Sequence, residues 1–322
     1  MRLATLRDGS PDGVLVLVSN DGQRMISGGT TLIAAIADWA TAEPALQALA
    51  TRLNAGGGDL LDHALIAAPM PRSWQWLDGS AFHQHGDLMQ IAFSMPPTPT
   101  DRPLMYQGMS DRFYGPTDPI PFGSEANGID FEGEFGVIVD AVPMGTTAAD
   151  AAGHIRLIVQ INDWSLRTLA PVEMKTGFGW IQAKPPCSMA PFAVTPDELG
   201  ADWRDGRVCC DLAIEWNGDR FGLVNGDQMA FSFPELVAHA AATRDLVAGT
   251  IIGSGTVSNR EYATRGSACI SERRAIEMIA EGKPQTAFMA HGDHVRMEGR
   301  TSDGRTPFGA IDQGIIKAQA RT

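Results

Sequence analysis

The clearest alternation of apolar and polar positions lies between residues 131 and 139. A period of two predicts a β-strand, because successive side chains of a strand point to opposite faces. Glu132 and Glu134 then share one face, about 6–7 Å apart along the strand. Two carboxylates this close repel each other unless a proton or a cation lies between them. Either they occupy a solvated face or they are half of a metal site. The apolar odd-numbered positions are Phe131, Phe135, Val137 and Val139.

The start of the chain predicts a hairpin followed by two helices. Residues 12–29 contain an apolar strand, an Asn20-Asp21-Gly22 turn and a return strand, a pattern typical of hairpins. Two amphipathic stretches follow, at about 31–40 and 44–55, and three glycines end the second. These elements indicate a small α+β unit.

A proline-rich boundary separates this unit from the rest. Two prolines and an arginine lie within residues 69–72, so we expect a small N-terminal α+β domain at 1–72 and a larger domain at 73–322. Residues 96–124 hold seven of the twenty prolines and show little periodicity. This segment is predicted to be a long ordered loop, and such loops are often functional.

Strands dominate the remainder of the chain. The Ser232 to Glu235 capping box predicts a helix that runs to about Ala248, and a second helix is expected at about 272–281, before Gly282. This content predicts a β-rich α+β fold, a roll or barrel and not a doubly wound sheet. The predicted strands are 155–161, 191–195, 207–216, 249–253, 295–299 and 309–312.

The amino-acid composition limits the kinds of binding partner that we expect. Apolar residues make up 44% and charged residues 20% of the 322 positions, and the formal net charge is −13. This charge argues against binding to a nucleic acid or to an anionic membrane surface. No stretch approaches the roughly 18 apolar residues of a membrane span, and the four cysteines lack metal-type spacing. We therefore expect a cytoplasmic protein with reduced cysteines.

Two acidic positions each allow two interpretations. Asp163 ends an apolar strand, where a buried carboxylate is costly unless it is paired. It is either a turn residue that caps the next segment or part of a site, and Arg167 could pair with it in both cases. Asp78 and His85 lie in the stretch 77–87. This stretch is either a polar surface turn, or it supplies Asp78 as an oxygen ligand and a histidine as a base. Composition alone favours the surface turn.

Three further features are equally ambiguous. The small-residue loop at 253–256 could cradle a phosphate, but it lacks the Lys-Ser/Thr ending of a P-loop. Glu272 opens a helix, where the helix dipole alone accounts for a carboxylate. Lys184 is either a surface lysine or an immobilised cation. The chain has no Gly-x-Ser-x-Gly elbow, His-Glu-x-x-His motif or CxxC pair, which argues against a serine hydrolase or a zinc enzyme.

Three segments resemble the fumarylacetoacetate hydrolase family. Phe131 to Glu134 is similar to the family's Glu-x-Glu strand, and Asn162 to Arg167 is similar to its Asn-Asp-Trp-Ser-x-Arg segment. Gly253 to Ser258 resembles its Ser-Gly-Thr loop, and the order of the motifs matches from about residue 73 to the C-terminus. The resemblance implies a mixed β-roll catalytic domain, often a homodimer, that binds one divalent ion.

The same resemblance implies a metal site made of oxygen donors. Such donors suit Mg²⁺ best among the expected ions, with Mn²⁺ and Ca²⁺ as alternatives, and they do not suit zinc. The implied ligands are Asp78, Glu132, Glu134 and Asp163.

The remaining roles also follow from the resemblance. His85 is the implied base, with His83 as the fallback, and Glu272 is the implied partner that orients it. Two cations, Arg167 and Lys184, are implied to hold substrate oxygens. The positions near substrate or metal are Tyr106, Gly255 and Thr256.

The implied activity is hydrolysis of a carbon–carbon bond in a 1,3-diketo acid that resembles fumarylacetoacetate or an acylpyruvate. Departures from the family pattern at Gly79-Ser80 and Ala170 fall on implied substrate contacts, so the acyl tail stays open. The alternatives on the same metal site are an oxaloacetate-type decarboxylase and a 2-keto acid hydratase or isomerase. A non-catalytic cation-binding protein would turn over no diketo acid.

Overall fold

The computed structural model describes residues 1–93 and 100–319. Within these ranges no helix is both long and apolar enough to cross a membrane. The α-helices are α1 (Leu32–Ala37), α2 (Trp39–Asn54), α3 (His83–Phe93), α4 (Ala148–Ala151), α5 (Ala170–Met174), α6 (Phe233–Ala240), α7 (Tyr262–Arg265) and α8 (Ile270–Glu281). The strands are β1 (Arg2–Leu6), β2 (Val14–Val18), β3 (Arg24–Ser27), β4 (Asp59–Leu60), β5 (Trp76–Gly79), β6 (Met105–Gly108), β7 (Ile120–Phe122), β8 (Ile129–Asp130), β9 (Gly133–Val139), β10 (Ile155–Asn162), β11 (Ser165–Leu166), β12 (Ser188–Met189), β13 (Ala193–Val194), β14 (Trp203–Arg204), β15 (Arg207–Val208), β16 (Asp211–Trp216), β17 (Asp219–Asn225), β18 (Ile251–Gly253), β19 (His294–Arg300) and β20 (Ala310–Lys317).

The predicted hairpin is present as β2 and β3, and two helices follow it. The second helix begins earlier than expected, because Asp38 has a non-helical backbone that separates α1 from α2. Pro44 lies inside α2 and removes one backbone hydrogen bond there. Trp39, Leu46 and Leu53 are buried at a spacing of seven residues, so one face of the helix packs on the core despite that loss.

The larger sheet has the strand order β4-β3-β2-β1-β13-β10-β9-β18-β5-β6, with β12 paired to β10. Strand β1 pairs with β13, and Leu3 lies opposite Ala193. The first 72 residues therefore share a sheet with the rest of the chain, and the domain division at residue 72 stays a prediction.

The second sheet has the order β17-β16-β19-β20-β7. Buried aromatic side chains fill the core against it, as in the contact between Phe135 of β9 and Phe308. In the described ranges both sheets stay open and do not close into a barrel. The β-rich α+β class is confirmed.

Four neighbouring strands, β10, β9, β18 and β5, position the acidic residues. Strand β18 runs antiparallel to β9 and parallel to β5. Its last residue, Gly253, lies opposite both Gly136 of β9 and Asp78 of β5. All three residues of β18 are buried, as the apolar run at 249–253 predicts.

Two sequence predictions need correction. The helix that starts at the Ser232 capping box ends at Ala240 and not at about Ala248, because Leu246 exchanges two backbone hydrogen bonds with Val142. The segment 96–124 is not one loop, since it contains β6 and β7. Residues 96–99 of that segment lie outside the described ranges.

Candidate active site and metal centre

Three acidic side chains converge from three strands of the larger sheet. Asp78 lies on β5, Glu134 lies on β9, and Asp163 directly follows β10. All three are buried, and each offers a carboxylate oxygen within 4.8 Å of the other two. Three of the four implied metal ligands therefore meet at one point, and we call them the carboxylate triad.

Among the three triad members, Glu134 has the fewest hydrogen bonds to the described residues. Its side chain is fully buried, and neither carboxylate oxygen has a hydrogen-bond partner among the described residues. Burial, followed by the charges of Asp78 and Asp163, raises the pKa of Glu134 well above its usual range. A buried carboxylate without a donor is costly, and a cation offsets that cost. The triad therefore fits a divalent ion that prefers oxygen ligands.

A tight loop after β18 positions Asp78. The backbone N–H of Gly255 donates to Asp78 Oδ1 at 3.0 Å, and Gly255 has a positive φ of 75°, which glycine adopts without strain. A Cβ on Gly253 would lie 2.4 Å from Asp78 Oδ1. Both glycines thus allow the close approach of loop and carboxylate. Burial, then Asp163, raises the pKa of Asp78 well above its usual range.

Asp163 accepts hydrogen bonds on both oxygens. Tyr106 donates its hydroxyl to Oδ2 at 2.6 Å, and Lys184 Nζ donates to the same oxygen at 2.5 Å. Cys187 donates its thiol to Oδ1 at 3.0 Å. The cation that pairs with Asp163 is therefore Lys184, and not Arg167, whose pairing with Asp163 the sequence left open. Arg167 instead contacts the carboxylates of Asp130 and Glu132.

Glu132 has a different environment from Glu134. Lys184 Nζ donates to Glu132 Oε1 at 2.6 Å, and the hydroxyls of Ser165 and Thr256 also donate to its carboxylate. Burial alone would raise the pKa of Glu132, but Arg167 and Lys184 outweigh burial and hold it below the usual range. Glu132 lies outside the triad, and its role as a metal ligand stays a prediction.

Arg167 connects this cluster to helix α8. Its Nε donates to Asp130 Oδ2 at 2.8 Å, and its Nη2 lies 3.1 Å from Glu132 Oε1. Asp130 also accepts the backbone N–H groups of Ile270 and Ser271 at 2.7 and 2.9 Å. A carboxylate that caps the first turn in this way fixes the start of the helix.

Helix α8 brings Glu272 to His85. Glu272 is fully buried in the first turn of α8, and its Oε2 lies 2.9 Å from His85 Nδ1 on α3. An ionised Glu272 accepts a hydrogen bond from Nδ1–H, which leaves Nε2 as the basic nitrogen of the ring. The alternative histidine, His83, packs edge-on against Phe231 and lines a separate small cavity.

A cavity of about 310 Å³ lies beside these groups. Its volume is at the lower end of the range for small-molecule sites. The polar side chains on its wall are Ser80 and most of the residues that the sequence singles out: Asp78, His85, Tyr106, Glu132, Arg167, Lys184 and Thr256. The backbone of Gly79 and Gly255 and the side chains of Leu104, Met105, Ala170, Met174 and Trp180 complete the wall.

Sequence reasoning missed several members of this site. Ser165 lies inside the Asn-Asp-Trp-Ser segment, so a signal was present for it. Cys187 follows Lys184 by three residues, but no spacing rule connects a lone cysteine to a carboxylate. Asp130 carries no sequence signal, because its partners lie on distant segments. Trp180 carries none either, because an isolated aromatic residue outside a helix or strand has no distinguishing pattern.

Models of known families cover almost the whole chain. The model described as "Fumarylacetoacetate (FAA) hydrolase C-terminal" matches residues 75–316. The chain belongs to this family. A second model, "Fumarylacetoacetase N-terminal domain 2", matches residues 1–72.

Curated relatives match part of this fumarylacetoacetate hydrolase family member. One is 2,4-didehydro-3-deoxy-L-rhamnonate hydrolase of Sphingomonas sp. (strain SKA58), 27% identical over 201 residues, which is 61% of each chain. Another is the mitochondrial oxaloacetate tautomerase FAHD2B of Bos taurus, 28% identical over 163 residues, which is 50% of this chain and 49% of that one. The match thus spans between about half and three-fifths of the relatives' length.

Solved structures share the fold over the full length. Maleylpyruvate hydrolase from Sphingobium sp. SYK-6, in complex with manganese(II) and pyruvate, superposes with a TM-score of 0.68 at 17% identity. The superposition covers 99% of this chain and 100% of that one. The 5-carboxymethyl-2-hydroxymuconate delta-isomerase from Mycobacterium smegmatis has a TM-score of 0.63 at 19% identity, with 99% and 100% coverage. At these identities the likeness shows the fold.

Proposed function

We propose that this family member is a divalent-cation-dependent hydrolase that cleaves a carbon–carbon bond of an acylpyruvate-like 1,3-diketo acid. One observation carries the proposal. His85 is hydrogen-bonded to the wholly buried Glu272 and lines the same cavity as Asp78 and Lys184. A histidine oriented by a carboxylate is the usual arrangement for taking a proton from water.

The carboxylate triad is the proposed cation site. Asp78, Glu134 and Asp163 would hold the ion, with Mg²⁺ as the first choice and Mn²⁺ or Ca²⁺ as alternatives. The bound cation supplies Lewis-acid polarisation of the substrate's carbonyl oxygens. The manganese in the maleylpyruvate hydrolase complex supports a divalent ion in this fold.

His85 and Glu272 activate the water. Glu272 holds His85 Nδ1–H, and His85 Nε2 removes a proton from a water molecule in the cavity. The hydroxide attacks the acyl carbonyl, and a carbon–oxygen bond forms. The bond between that carbon and the neighbouring CH₂ then breaks, and the CH₂ carbon receives the proton from His85. The products are a carboxylic acid and pyruvate.

Lys184 is placed to stabilise the oxyanion of this step. Its ammonium group has three N–H donors, and two of them point to Glu132 and Asp163. The third remains for a substrate oxygen, because Lys184 lines the cavity. A donor held in place before the reaction needs no reorganisation when charge develops, which lowers the barrier. Arg167 holds Glu132 from the other side.

The test is turnover of acetopyruvate to acetate and pyruvate, with Mg²⁺ and with EDTA. We expect turnover only with the metal. His85→Asn lowers kcat by about 10²–10⁴-fold while Mg²⁺ binding, measured by calorimetry, persists. His83→Asn is the matched control and leaves kcat within about twofold. Metal-independent turnover, or full activity of His85→Asn, would refute the proposal.

A second candidate uses the same groups without bond hydrolysis. Relatives of this chain include oxaloacetate tautomerases, and a structural neighbour is a delta-isomerase. A single base beside a cation site also suits proton transfer next to a carbonyl. Tautomerisation of oxaloacetate, or CO₂ release from it, without acetopyruvate cleavage would favour this candidate. A homodimer also stays a proposal, which sedimentation velocity tests.

A further inference from the structure

One part of the cavity wall is apolar. Leu104 and Met105 come from the start of β6, and Ala170, Met174 and Trp180 come from α5 and the segment that follows it. None of these side chains carries a charge. A charged group placed against them would find no oppositely charged partner among these side chains. This part of the wall therefore suits an uncharged piece of a ligand.

Trp180 joins the apolar part to the reacting groups. Its ring lies edge-to-face on Tyr106, with a centroid distance of 4.7 Å and an interplanar angle of 80°. Lys184 Nζ lies 6.0 Å from the indole ring and 5.4 Å from the Tyr106 ring. Because Tyr106 and Lys184 both donate to Asp163, Trp180 lies next to side chains that contact the proposed cation site.

The indole N–H of Trp180 has no partner within the described protein. Nε1 is buried and has no hydrogen-bond partner among the described residues. An indole can only donate, and a buried donor without an acceptor costs stability. The hydroxyls of Tyr106 and Thr256 differ, since both already donate to carboxylates. Trp180 therefore presents an apolar ring to the cavity.

The charges on the wall are already paired. Of the described residues that line the cavity, the lysine and the arginine each contact two carboxylates: Lys184 contacts Glu132 and Asp163, and Arg167 contacts Asp130 and Glu132. Lys184 has one N–H donor left, and the proposed reaction uses it for the oxyanion, so a second carboxylate at the far end of a substrate would compete for cations that are engaged. The wall thus disfavours a dicarboxylic substrate.

We propose that Trp180 is a specificity-determining residue that selects 2-oxo acids with an uncharged tail, which packs against its indole ring. This inference rests on the proposed function only in placing the 2-oxo acid head group at the carboxylate triad. It assigns the tail to an uncharged acyl chain, in contrast to the second carboxylate that fumarylacetoacetate carries.

The test compares two six-carbon ligands that differ in one terminal group, 2-oxohexanoate and 2-oxoadipate. Binding to the full chain is measured by calorimetry with saturating Mg²⁺. We expect about tenfold tighter binding of 2-oxohexanoate, because the apolar wall contacts its uncharged tail and offers a terminal carboxylate no partner. Trp180→Ala should reduce this ratio to about two, and Trp180→Phe should keep most of it. Phe178→Ala is the matched control, since Phe178 lies in the same segment and is 97% exposed; it should leave the ratio unchanged.

Equal affinities, a preference for 2-oxoadipate, or no binding of either ligand would overturn the assignment. An unchanged ratio in a folded Trp180→Ala variant would overturn it as well. The result is independent of turnover. A tenfold preference without cleavage of any 1,3-diketo acid would retain the role of Trp180 and refute the hydrolase, whereas cleavage without a tail preference would do the reverse.

Discussion

Glu132 and Glu134 lie two positions apart, yet their surroundings are opposite. Glu132 accepts from Lys184, Ser165 and Thr256, whereas Glu134 has no hydrogen-bond partner among the described residues. Both are buried. The comparison teaches that acidity and burial alone do not identify a cation ligand. What separates the two residues is whether the protein itself supplies the positive charge.

Removing the charge of Glu132 gives the largest expected effect on stability. Glu132→Gln should lower the unfolding free energy of the metal-free protein by about 3 kcal/mol, at the lower end for breaking a buried ion pair. The loss is limited because Lys184 keeps Asp163 and Arg167 keeps Asp130. Urea denaturation in EDTA measures it. Glu134→Gln is the matched variant and should change this value by less than about 1 kcal/mol, so equal losses would break the comparison.

Adding metal should reverse the order of the two variants. At a Mg²⁺ concentration of 100 times Kd, a ligand that binds only the folded state stabilises it by about 2.7 kcal/mol. Glu134→Gln should lose most of this gain, and Glu132→Gln should keep most of it. Thermal unfolding with MgCl₂ and with EDTA provides the measurement. If the stabilisation by Mg²⁺ depends on Glu132 and not on Glu134, then Glu132 binds the cation and our assignment of Glu134 is wrong.

A methyl group at Gly253 should displace Asp78 and so disturb the carboxylate triad. Its Cβ would lie 2.3 Å from the Trp76 ring and 2.4 Å from Asp78 Oδ1, so one of them must move. Gly253→Ala should cost about 1–3 kcal/mol, as is usual for overpacking, and should weaken Mn²⁺ binding. Gly123→Ala is the control, because its Cβ meets nothing within 4 Å. Wild-type stability and metal affinity in Gly253→Ala would contradict the geometry.

The thiol of Cys187 should make the smallest contribution. Cys187→Ala removes one hydrogen bond from Asp163 Oδ1, which is worth about 1 kcal/mol. Mn²⁺ affinity measured by calorimetry should change by about fivefold or less. Cys187→Ser restores a donor and should recover part of the change. If serine and alanine behave alike, the hydrogen bond does not position Asp163.

Local patterns predicted local structure well. The alternation at 131–139 became β9, and the capping box at Ser232 and Glu235 is present as expected. The end of α6 was not predictable, because Leu246 leaves the helical path to pair with Val142, far away in the sequence. Helix α2 continues through Pro44, because its buried side-chain contacts outweigh the backbone hydrogen bond that the proline removes.

The site shows the same limit. The family resemblance, and not residue spacing, predicted that His85 and Glu272 act as a pair. The two residues lie on different helices and meet through one hydrogen bond. Whether Lys184 or Arg167 pairs with Asp163 could not be read from residue types, because both are cations that follow Asp163 in the chain. Only the fold decides which one points to it.

The parallel pairing of β18 with β5 has a consequence for how the chain folds. Asp78 meets the segment 251–255 only after two strands that are distant in the sequence have come together. Contacts between such distant segments form late and slowly. A shift of one residue in this register would turn Asp78 to the other face of the sheet. The proposed cation site therefore depends on the native register between two segments that are distant in the sequence.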